Sequence, residues 1–360
     1  MKIAFDIRMI NNSGIGTFIN GLLYGFSKLN IDSEFILLGD RNLSGLIPQD
    51  LNFKLLHFNK PIYKIYSQLL YPSGIDYDIF HYPHYNYPLK LKKNLIVHIH
   101  DIAHFHFPSS GLHKSYITYF LKKIRNNNIT IITASEFVKN ELVSIFNFNP
   151  ENINVIHHAV NCFFEKKPSQ EEINIFKKNN QITGKYILTV GLNKAHKNIK
   201  FLIELMTDTK LSEYKLLIST PKESDINDLA ILAKKLNVLS RIIFYSPKTV
   251  REMPLLYSGA DLYIFPSLYE GFGLTPLEAM YFGIPVISSG AYPMPEILGD
   301  SALYFNPSEL SSCLDAFTKI NSNGEIRNKY ILNGVKKSRE YTWQNAAKKI
   351  YNIYEKTYKK

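Results

Sequence analysis

The stretch from Ser267 to Val286 constrains the fold more than any other part of the chain, and it reads SLYEGFGLTPLEAMYFGIPV. The apolar run Asp261–Phe265 before it has the length of a strand. A glycine-bearing loop, Glu270–Leu274, leads to a predicted helix start at Thr275-Pro276, because proline is tolerated in a first helical turn. A glycine and a proline close this helix before the next strand. Such a strand–loop–helix unit is typical of α/β proteins and presents backbone N–H groups to an anion such as phosphate.

Two carboxylates flank this loop, and their spacing has two interpretations. Glu270 precedes the loop, and Glu278 falls in the predicted first turn of the helix. As structural residues, Glu278 would complete a capping box with Thr275, and Glu270 would be solvated. As functional residues, both would accept hydrogen bonds from a ligand. The spacing does not decide between the two.

Length and cysteine content limit the class of protein. A chain of 360 residues suffices for two domains, each with its own core. Cys162 and Cys313 lie far apart and suggest no disulfide, so we expect a reducing cytoplasm. No run approaches the ~18 apolar residues of a membrane span. Asp6 and Arg8 interrupt the first apolar run, which predicts a strand and not a signal peptide.

The charge balance is strongly basic, with a formal net charge of +11. The sequence carries no nucleic-acid recognition motif, so nucleic acid is not a predicted partner. Basic and aromatic residues interleave between Lys60 and Arg125, which suits an anionic membrane surface. An ordinary lysine-rich surface explains the pattern equally well. The basic residues are Lys60, Lys64, Lys90, Lys92, Lys93, Lys114, Lys122, Lys123 and Arg125, and the aromatic ones are Tyr63, Tyr66, Tyr71, Tyr116, Tyr119 and Phe120.

Apolar runs of strand length alternate with helical spacing along the chain, which predicts an α/β fold with doubly wound parallel sheets. The first predicted strands are Lys2–Ile7, Glu34–Leu38, Asp78–His81, Leu95–Ile99, Ile129–Thr133 and Ile153–Ile156, with helices at Thr17–Leu29, Pro61–Leu70, His113–Arg125 and Glu136–Phe146. The polar segment Glu165–Glu172 reads as a linker. The pattern then restarts, with strands at Tyr186–Val190, Lys215–Ser219, Arg241–Tyr245, Asp261–Phe265, Pro285–Ser288 and Ala302–Phe305. We predict domains over 1–165 and 166–341 and a last helix over 342–360.

A second strand in the C-terminal half ends at Gly191 and leads into a basic loop. Open α/β sheets bind ligands at the carboxyl ends of their strands, so a lysine in this loop can reach the phosphates of such a ligand. Lys197 is the candidate. The alternative is a solvated lysine loop.

All 11 histidines lie before residue 200, and seven of them fall between His81 and His113. Imidazole is a common zinc ligand. However, two residues apart on one strand, His98 and His100 are expected on the same face of the sheet whether or not they bind a metal. The sequence offers neither a cysteine partner nor a His-Glu-x-x-His motif. We expect no metal cofactor.

The string EGFGLTPLEAMYFGIPV resembles the donor-site signature of retaining glycosyltransferases of family 4. This resemblance implies the GT-B fold, in which two Rossmann-like domains face a cleft. Residues 1–165 would then form the acceptor-side domain and 166–341 the donor-binding domain, and the last helix over 342–360 would cross back toward the N-terminal domain. Thr275 stands where the family often has proline. The basic loop is similar to the family's pyrophosphate-binding loop, which gives that role to Lys197. The family's assisting arginine is missing, because its two positions hold Leu192 and His196, and Lys194 or protonated His196 would replace it.

Segments of the N-terminal half resemble the same family. His100 and Asp101 at a strand end are similar to a His-Asp pair that faces the donor sugar, which implies catalytic roles. His81 lies in a segment similar to the family's Asp-x-Phe-His-x-Pro and is implied to be on the acceptor side. Gly14-Ile15-Gly16 matches the first glycine loop, with Gly14 toward the acceptor and Gly16 toward the donor.

The resemblance further implies a metal-free, retaining transfer of a sugar from a nucleotide-sugar donor. Lys197, helped by His196 and the helix dipole, would neutralise the leaving diphosphate. Glu278 would bind the ribose hydroxyls and Glu270 the hydroxyls of the transferred sugar, and both Glu270 and Lys197 would count as catalytic. His100 would orient donor and acceptor. The loop residues implied in donor binding are Gly271, Phe272, Gly273, Leu274 and Thr275.

The family builds lipopolysaccharide, O-antigen and capsule chains, so the favoured reaction moves mannose from GDP-mannose, with UDP-linked sugars next. The acceptor would be a glycan or a lipid-linked glycan, and the protein would be cytoplasmic or peripheral on the inner face of the membrane. Two other classes stay open. A sugar-nucleotide epimerase would interconvert donors without an acceptor, and a non-catalytic sugar-nucleotide-binding protein would tolerate the loss of Glu270.

Overall fold

The computed structural model describes residues 1–63, 71, 74–90, 93–164, 166–220 and 223–359. Several predicted features lie outside these residues: most of the helix predicted over 61–70, with Lys64 and Tyr66, and also Lys92 and Glu165. The chain divides into two compact units. The N-terminal unit comprises Met1–Cys162 and Tyr341–Lys360, and the C-terminal unit comprises Phe163–Glu340.

The N-terminal unit is built on a seven-stranded parallel sheet in the order β3-β2-β1-β4-β5-β6-β7. Its strands are β1 Lys2–Asp6, β2 Glu34–Gly39, β3 Phe53–His57, β4 Ile79–Tyr82, β5 Leu95–Ile99, β6 Thr130–Thr133 and β7 Ile153–Val155. Its first helices are α1 Ile15–Ser27, α2 Ala103–His106, α3 Gly111–Asn126 and α4 Glu136–Phe146.

The C-terminal unit repeats this plan with a six-stranded parallel sheet in the order β10-β9-β8-β11-β12-β13. Its strands are β8 Lys185–Val190, β9 Tyr214–Ser219, β10 Ile242–Tyr245, β11 Leu262–Phe265, β12 Val286–Ser289 and β13 Leu303–Phe305. Its helices are α5 Gln170–Asn179, α6 Ile199–Leu205, α7 Glu223–Lys235, α8 Met253–Ser258, α9 Leu274–Tyr281, α10 Met294–Leu298, α11 Leu310–Ser322 and α12 Gly324–Glu340. None of the described helices is both long and apolar enough to cross a membrane.

Each sheet reverses its strand order once, and the reversal fixes where a ligand can bind. In the N-terminal sheet β1 lies between β2 and β4, and in the C-terminal sheet β8 lies between β9 and β11. At such a switch point the loops that follow the two strands lead to opposite faces of the sheet, which leaves a crevice at the strands' carboxyl ends. Both predicted glycine loops of the C-terminal half follow strands at a switch point. The predicted doubly wound α/β architecture is confirmed.

The sequence pattern missed β3, which reads Phe53-Lys54-Leu55-Leu56-His57. This strand forms the edge of its sheet and pairs only with β2, and its side chains are half-buried or exposed. The central β5, by contrast, is buried at all five positions and matches its prediction. Parallel strands with neighbours on both sides carry a continuous apolar run, whereas an edge strand need not.

Part of the predicted linker is the beginning of a helix. The Ser169 hydroxyl accepts the N–H of Glu172 at 3.2 Å, and the Glu172 carboxylate accepts the N–H of Ser169 at 2.7 Å. This capping box begins α5 at Gln170, so residues 170–172 are helical.

The last helix, α13 at Trp343–Tyr358, packs against α1 within the N-terminal unit. The Trp343 ring is buried, and its Nε1 donates to the carbonyl of Val160 at 2.8 Å. Two glycines of α1 make this approach possible. A Cβ on Gly21 would overlap the Trp343 indole, and one on Gly25 would lie 2.8 Å from the Cβ of Ala347.

We expect Gly21→Ala to destabilise the N-terminal unit by about 1–3 kcal/mol, because the added methyl overpacks the contact between α1 and α13. Denaturant unfolding measures the change. Gly45→Ala is the control, since a Cβ at Gly45 meets nothing within 4 Å. Equal stability of the two variants would contradict the close packing described for Gly21.

Candidate functional site

The two predicted ligand loops of the C-terminal unit lie side by side at the switch point. They follow β8 and β11, which pair at Leu188 and Tyr263. The Leu268 N–H in the second loop donates to the carbonyl of His196 in the first at 2.7 Å. The two loops are therefore tied together by their backbones.

Lys197 and Glu270, one from each loop, form an ion pair. Nζ of Lys197 lies 2.6 Å from Oε1 of Glu270, and the side chains are 26% and 13% exposed. A short 3₁₀ turn, Ala195–Lys197, presents the lysine beyond the end of β8. The structural interpretation of Lys197 and Glu270 required solvated side chains, and neither side chain is solvated in that way. The pair sets a cation and a carboxylate at one point of the crevice, where they can bind phosphate oxygens and sugar hydroxyls respectively.

The helix α9 begins one residue earlier than predicted, at Leu274, because Gly273 adopts a left-handed conformation with φ +87°. A side chain at Gly273 would be strained and would contact Sδ of Met294 at 2.8 Å. The N-cap residue is Gly273, which has no side chain that could accept an N–H group of the first turn. Gly271 and Phe272 are buried, and Leu274 and Thr275 are partly exposed at the helix start. Backbone donors therefore surround the turn, as an anion site requires.

Glu278 does not form the capping box with Thr275. It is the fifth residue of α9, it is 6% exposed, and its Oε2 accepts the hydroxyl of Tyr257 at 2.7 Å. Burial raises the pKa of Glu278 to about 7, and the Tyr257 hydrogen bond opposes that rise. The sequence patterns did not indicate Tyr257 as a partner, because Tyr257 precedes Glu278 by 21 residues and lies on another helix, α8. No local spacing signals such a partner.

In the N-terminal unit His100 and Asp101 follow β5. Nε2 of His100 lies 3.0 Å from the carbonyl of Pro83. Burial and the neighbouring His158 hold the pKa of His100 well below its usual range, so the ring is neutral at pH 7. The carboxylate of Asp101 accepts the N–H of Ala103 at 2.8 Å. Both side chains thus have structural partners, and their catalytic roles stay predictions.

His81, which the resemblance places on the acceptor side, lies in the interior of the N-terminal unit, and its acceptor-side role stays a prediction. Its side chain is fully buried, and its Nδ1 lies 2.7 Å from the hydroxyl of Tyr354 on α13. Burial lowers the pKa of His81 to about 3. Gly14 is exposed with φ +69°, at the start of α1. Gly16 is buried where a Cβ would lie 3.1 Å from the carbonyl oxygen of Met9, so the folding of the loop itself requires this glycine.

The structure adds His158, to which the sequence patterns assigned no role, to His98 and His100. Ligand atoms of these three residues lie within 4.8 Å of one another, and this is the one such group of metal-ligating side chains in the part of the chain that the structure describes. The ring of Phe18 packs against all three, with centroid distances of 4.2 to 5.0 Å. The group is therefore packed as an aromatic core, and its imidazoles are neutral because burial lowers their pKa values.

Comparison with known proteins identifies relatives of both units. The family "Glycosyltransferase Family 4" matches residues 14–162, and the family "Glycosyl transferases group 1" matches residues 170–337. The O-antigen chain mannosyltransferase RfbU of Salmonella typhimurium is 31% identical over 240 residues, which are 65% of this chain and 63% of RfbU. The chain thus spans less than two thirds of that relative. The O-antigen chain mannosyltransferase B of Escherichia coli is 26% identical over 286 residues, 77% of this chain and 74% of the relative.

Solved structures share the fold over nearly the whole chain. Anabaena HepE in complex with UDP and glucose superposes with a TM-score of 0.76 at 16% identity, and the match covers 99% of this chain and 100% of that one. WaaG, a glycosyltransferase involved in lipopolysaccharide biosynthesis, gives a TM-score of 0.73 at 14% identity over 98% and 99% of the two chains. The predicted GT-B fold is confirmed.

The raised pKa of Glu278 predicts that Glu278→Gln stabilises the protein at neutral and higher pH. The folded state holds the Glu278 proton up to about pH 7, whereas the unfolded state loses it near pH 4.5. Ionisation of Glu278 therefore lowers the free energy of unfolding as pH rises between these values. Glutamine does not ionise and keeps an oxygen that accepts from Tyr257. We expect a gain over the parent that grows to about 3 kcal/mol between roughly pH 5 and pH 8.

Urea unfolding at both pH values measures this gain. Glu325→Gln is the matched control, because Glu325 is an exposed glutamate of the same unit. A difference between Glu278→Gln and its parent that is the same at both pH values would contradict a buried, ionising Glu278.

Proposed function

Since the chain belongs to glycosyltransferase family 4, we propose that it transfers a sugar, with mannose from GDP-mannose as the favoured donor, to a glycan or lipid-linked acceptor in O-antigen or lipopolysaccharide synthesis. The observation that carries the proposal is the pairing of Lys197 with Glu270 at 2.6 Å, at the switch point of the C-terminal sheet. A nucleotide sugar combines a diphosphate with a polyol, and this pair offers one group for each.

Positive charge and backbone donors converge where a leaving diphosphate would lie. The Lys197 ammonium supplies a full charge, and the N-terminus of α9 adds the positive end of its dipole. The chain turns into that helix at Gly273, so the N–H groups of Gly271 to Thr275 lie at its start. Such donors stabilise the negative charge that develops as the bond to the diphosphate breaks. In this way the protein would do without a metal ion.

The two carboxylates would bind different hydroxyls. Glu270, paired with Lys197 and 13% exposed, is proposed to accept from hydroxyls of the transferred sugar. Glu278, held deeper by Tyr257, is proposed to accept from the two ribose hydroxyls. Breaking the sugar–phosphate bond and forming the new glycosidic bond on the same face retains the anomeric configuration. The departing phosphate oxygen takes the acceptor proton.

The relatives support the donor and acceptor classes that we favour. RfbU and its Escherichia coli counterpart are named as O-antigen chain mannosyltransferases, whereas HepE was solved with UDP and glucose. GDP-mannose is therefore the first donor to test and UDP-linked sugars the second. The exposed Gly14 loop of the N-terminal unit is the proposed acceptor contact, and His100 and Asp101 are the proposed catalytic residues of that unit.

Two other functions give different reaction products. A sugar-nucleotide epimerase would convert its donor without any acceptor, and product analysis after incubation with GDP-mannose alone detects this. A non-catalytic binding protein would bind the donor but form no glycoside and release no nucleoside diphosphate. Family membership and the paired Lys197 and Glu270 favour the transferase over both.

We expect Lys197→Ala to lower turnover by ~10²-fold or more, because it removes one preorganised stabiliser of the leaving diphosphate. Release of nucleoside diphosphate in the presence of acceptor measures turnover. Lys200→Ala is the matched control, since Lys200 is an exposed lysine three residues away. Activity of Lys197→Ala within a few-fold of the control would refute the proposed role.

We also propose that the exposed face of α3 contacts an anionic membrane. Lys122 and Lys123 are exposed, as are Tyr119 at 47% and Leu112 at 84%. Arg125 belongs less to this face, because its guanidinium donates to the carbonyl of Phe146 at 3.0 Å. Basic side chains beside exposed apolar ones suit an interfacial helix.

Reversal of this charge tests the membrane contact. We expect Lys122→Glu combined with Lys123→Glu to reduce sedimentation with phosphatidylserine vesicles by about tenfold or more, since each basic residue near such a surface contributes about 1 kcal/mol and reversal also adds repulsion. The control reverses Lys348 and Lys349, an exposed pair on α13 of the same unit. Equal vesicle binding by the α3 double variant and the α13 control would contradict the proposed membrane contact.

A further inference from the structure

Tyr257 is a fully buried tyrosine whose ring and hydroxyl have different neighbours. It lies near the end of α8, and its ring stacks on Phe282 with centroids 5.6 Å apart and an interplanar angle of 8°. Phe164 packs edge-on at 6.3 Å. The hydroxyl points away from this aromatic contact and lies 2.7 Å from Oε2 of Glu278. A phenylalanine would fill the same space, so packing does not account for the hydroxyl.

The direction of the hydrogen bond between the two side chains is fixed. Burial, with the nearby Glu278 carboxylate, raises the pKa of Tyr257 well above its usual value, so the phenol keeps its proton and donates. A carboxylate accepts at two oxygens, with about four lone-pair sites. The bond to Oε2 restrains the rotation of the Glu278 side chain and leaves the acceptor sites of Oε1 for a ligand.

We propose that Tyr257 is a positioning residue of the nucleotide site, and that it holds the Glu278 carboxylate in the orientation that accepts the ribose hydroxyls of the donor. This inference rests on the proposed function, because it takes Glu278 as the ribose ligand. Tyr257 would thus act on the donor through Glu278 and not by its own contact with the sugar or the phosphates. Without Tyr257 the buried carboxylate would lose its donor and sample other rotamers.

The same bond sets the protonation of Glu278. Two causes act on the pKa of this carboxyl: burial raises it, the Tyr257 bond lowers it, and the net result is a pKa raised to about 7. Tyr263, from β11, also interacts with Glu278, and because burial raises its pKa this phenol stays neutral. Loss of the Tyr257 hydroxyl therefore leaves more of Glu278 protonated at pH 7, and a protonated carboxyl is a poorer acceptor for a diol.

The test is the affinity of Tyr257→Phe for GDP and for UDP, measured by titration calorimetry between about pH 6 and pH 9. We expect affinity for the base that the parent prefers to fall by about tenfold at pH 7, as for a lost hydrogen bond to a charged group. The pH midpoint of binding should also rise above that of the parent. The matched control is Tyr281→Phe, which removes a hydroxyl that donates to the carbonyl of Phe164 at 2.9 Å in the same unit.

Two further measurements separate positioning from general stability. The 2′,3′-dideoxy analogue of the preferred nucleoside diphosphate has no hydroxyls for Glu278, so the parent and Tyr257→Phe should bind it within twofold. Adding Tyr257→Phe to Glu278→Ala should cost no further affinity, because Glu278→Ala leaves no side-chain oxygen at that position for the Tyr257 hydroxyl to orient. A tenfold loss that persists with the analogue or in the Glu278→Ala background would mean a merely structural role and would overturn the inference.

The outcomes also distinguish this inference from the proposed function. If the parent binds neither GDP nor UDP, or if Glu278→Gln binds as tightly as the parent, then the proposed nucleotide site fails and the inference fails with it. If Glu278→Gln weakens binding but Tyr257→Phe behaves like Tyr281→Phe, the proposed function stands and the role of Tyr257 is overturned.

Discussion

In a doubly wound parallel sheet the loops diverge where the strand order reverses, and in the C-terminal unit this happens between β8 and β11. The divergence leaves room at the carboxyl ends of the two strands, and their pairing brings the following loops into contact. The hydrogen bond from Leu268 to His196 and the ion pair of Lys197 with Glu270 both depend on this adjacency. The left-handed Gly273 then turns the chain so that α9 begins directly beside the pair. The strand order of the C-terminal sheet therefore brings a cation, a carboxylate and a helix N-terminus together at one point.

The buried Glu278 lowers the free energy of unfolding when it ionises, and the fold itself does not require a carboxylate at this position. Glu278 is almost fully buried, and burial raises its pKa to about 7 despite the opposing hydrogen bond from Tyr257, so its ionised form destabilises the folded protein. The single tyrosine hydroxyl at 2.7 Å offsets part of this cost. A glutamine would keep that hydrogen bond and avoid the charge. This cost is the one expected if Glu278 is, as we propose, a ligand for hydroxyl groups, because these bind a charged acceptor more strongly than an amide. The buried histidines of the N-terminal unit differ, because they stay neutral and pack against Phe18.

The sequence predicted the elements whose signals are local. Central strands such as β5 carry an unbroken apolar run, and the loop before α9 carries the glycines that its turn needs, so both were found from their residues. The edge strand β3 was missed because a neighbouring strand lies on one side of it only, so its residues need not form a continuous apolar run. Partners far apart in sequence could not be predicted: Tyr257 for Glu278, Tyr354 for His81, and His158 beside His98 and His100. The capping-box spacing of Thr275 and Glu278 was a real pattern, but the helix starts one residue earlier and leaves it unused. The resemblance to family 4 named Lys197 and Glu270, and the structure added that the two are paired.

We propose that the crevice between β8 and β11 binds the nucleotide part of a sugar donor by charge and backbone donors without a metal ion. Thermal unfolding with a panel of nucleoside diphosphates and nucleotide sugars, each with and without a chelator, is the test of this binding. Ligand at 100 times its dissociation constant adds about 2.7 kcal/mol, which raises the melting temperature by several degrees. We predict such a shift for nucleotides of one base, equal in the presence and absence of chelator. No shift with any nucleotide, or a shift that appears only when a divalent metal is added, would contradict the claim.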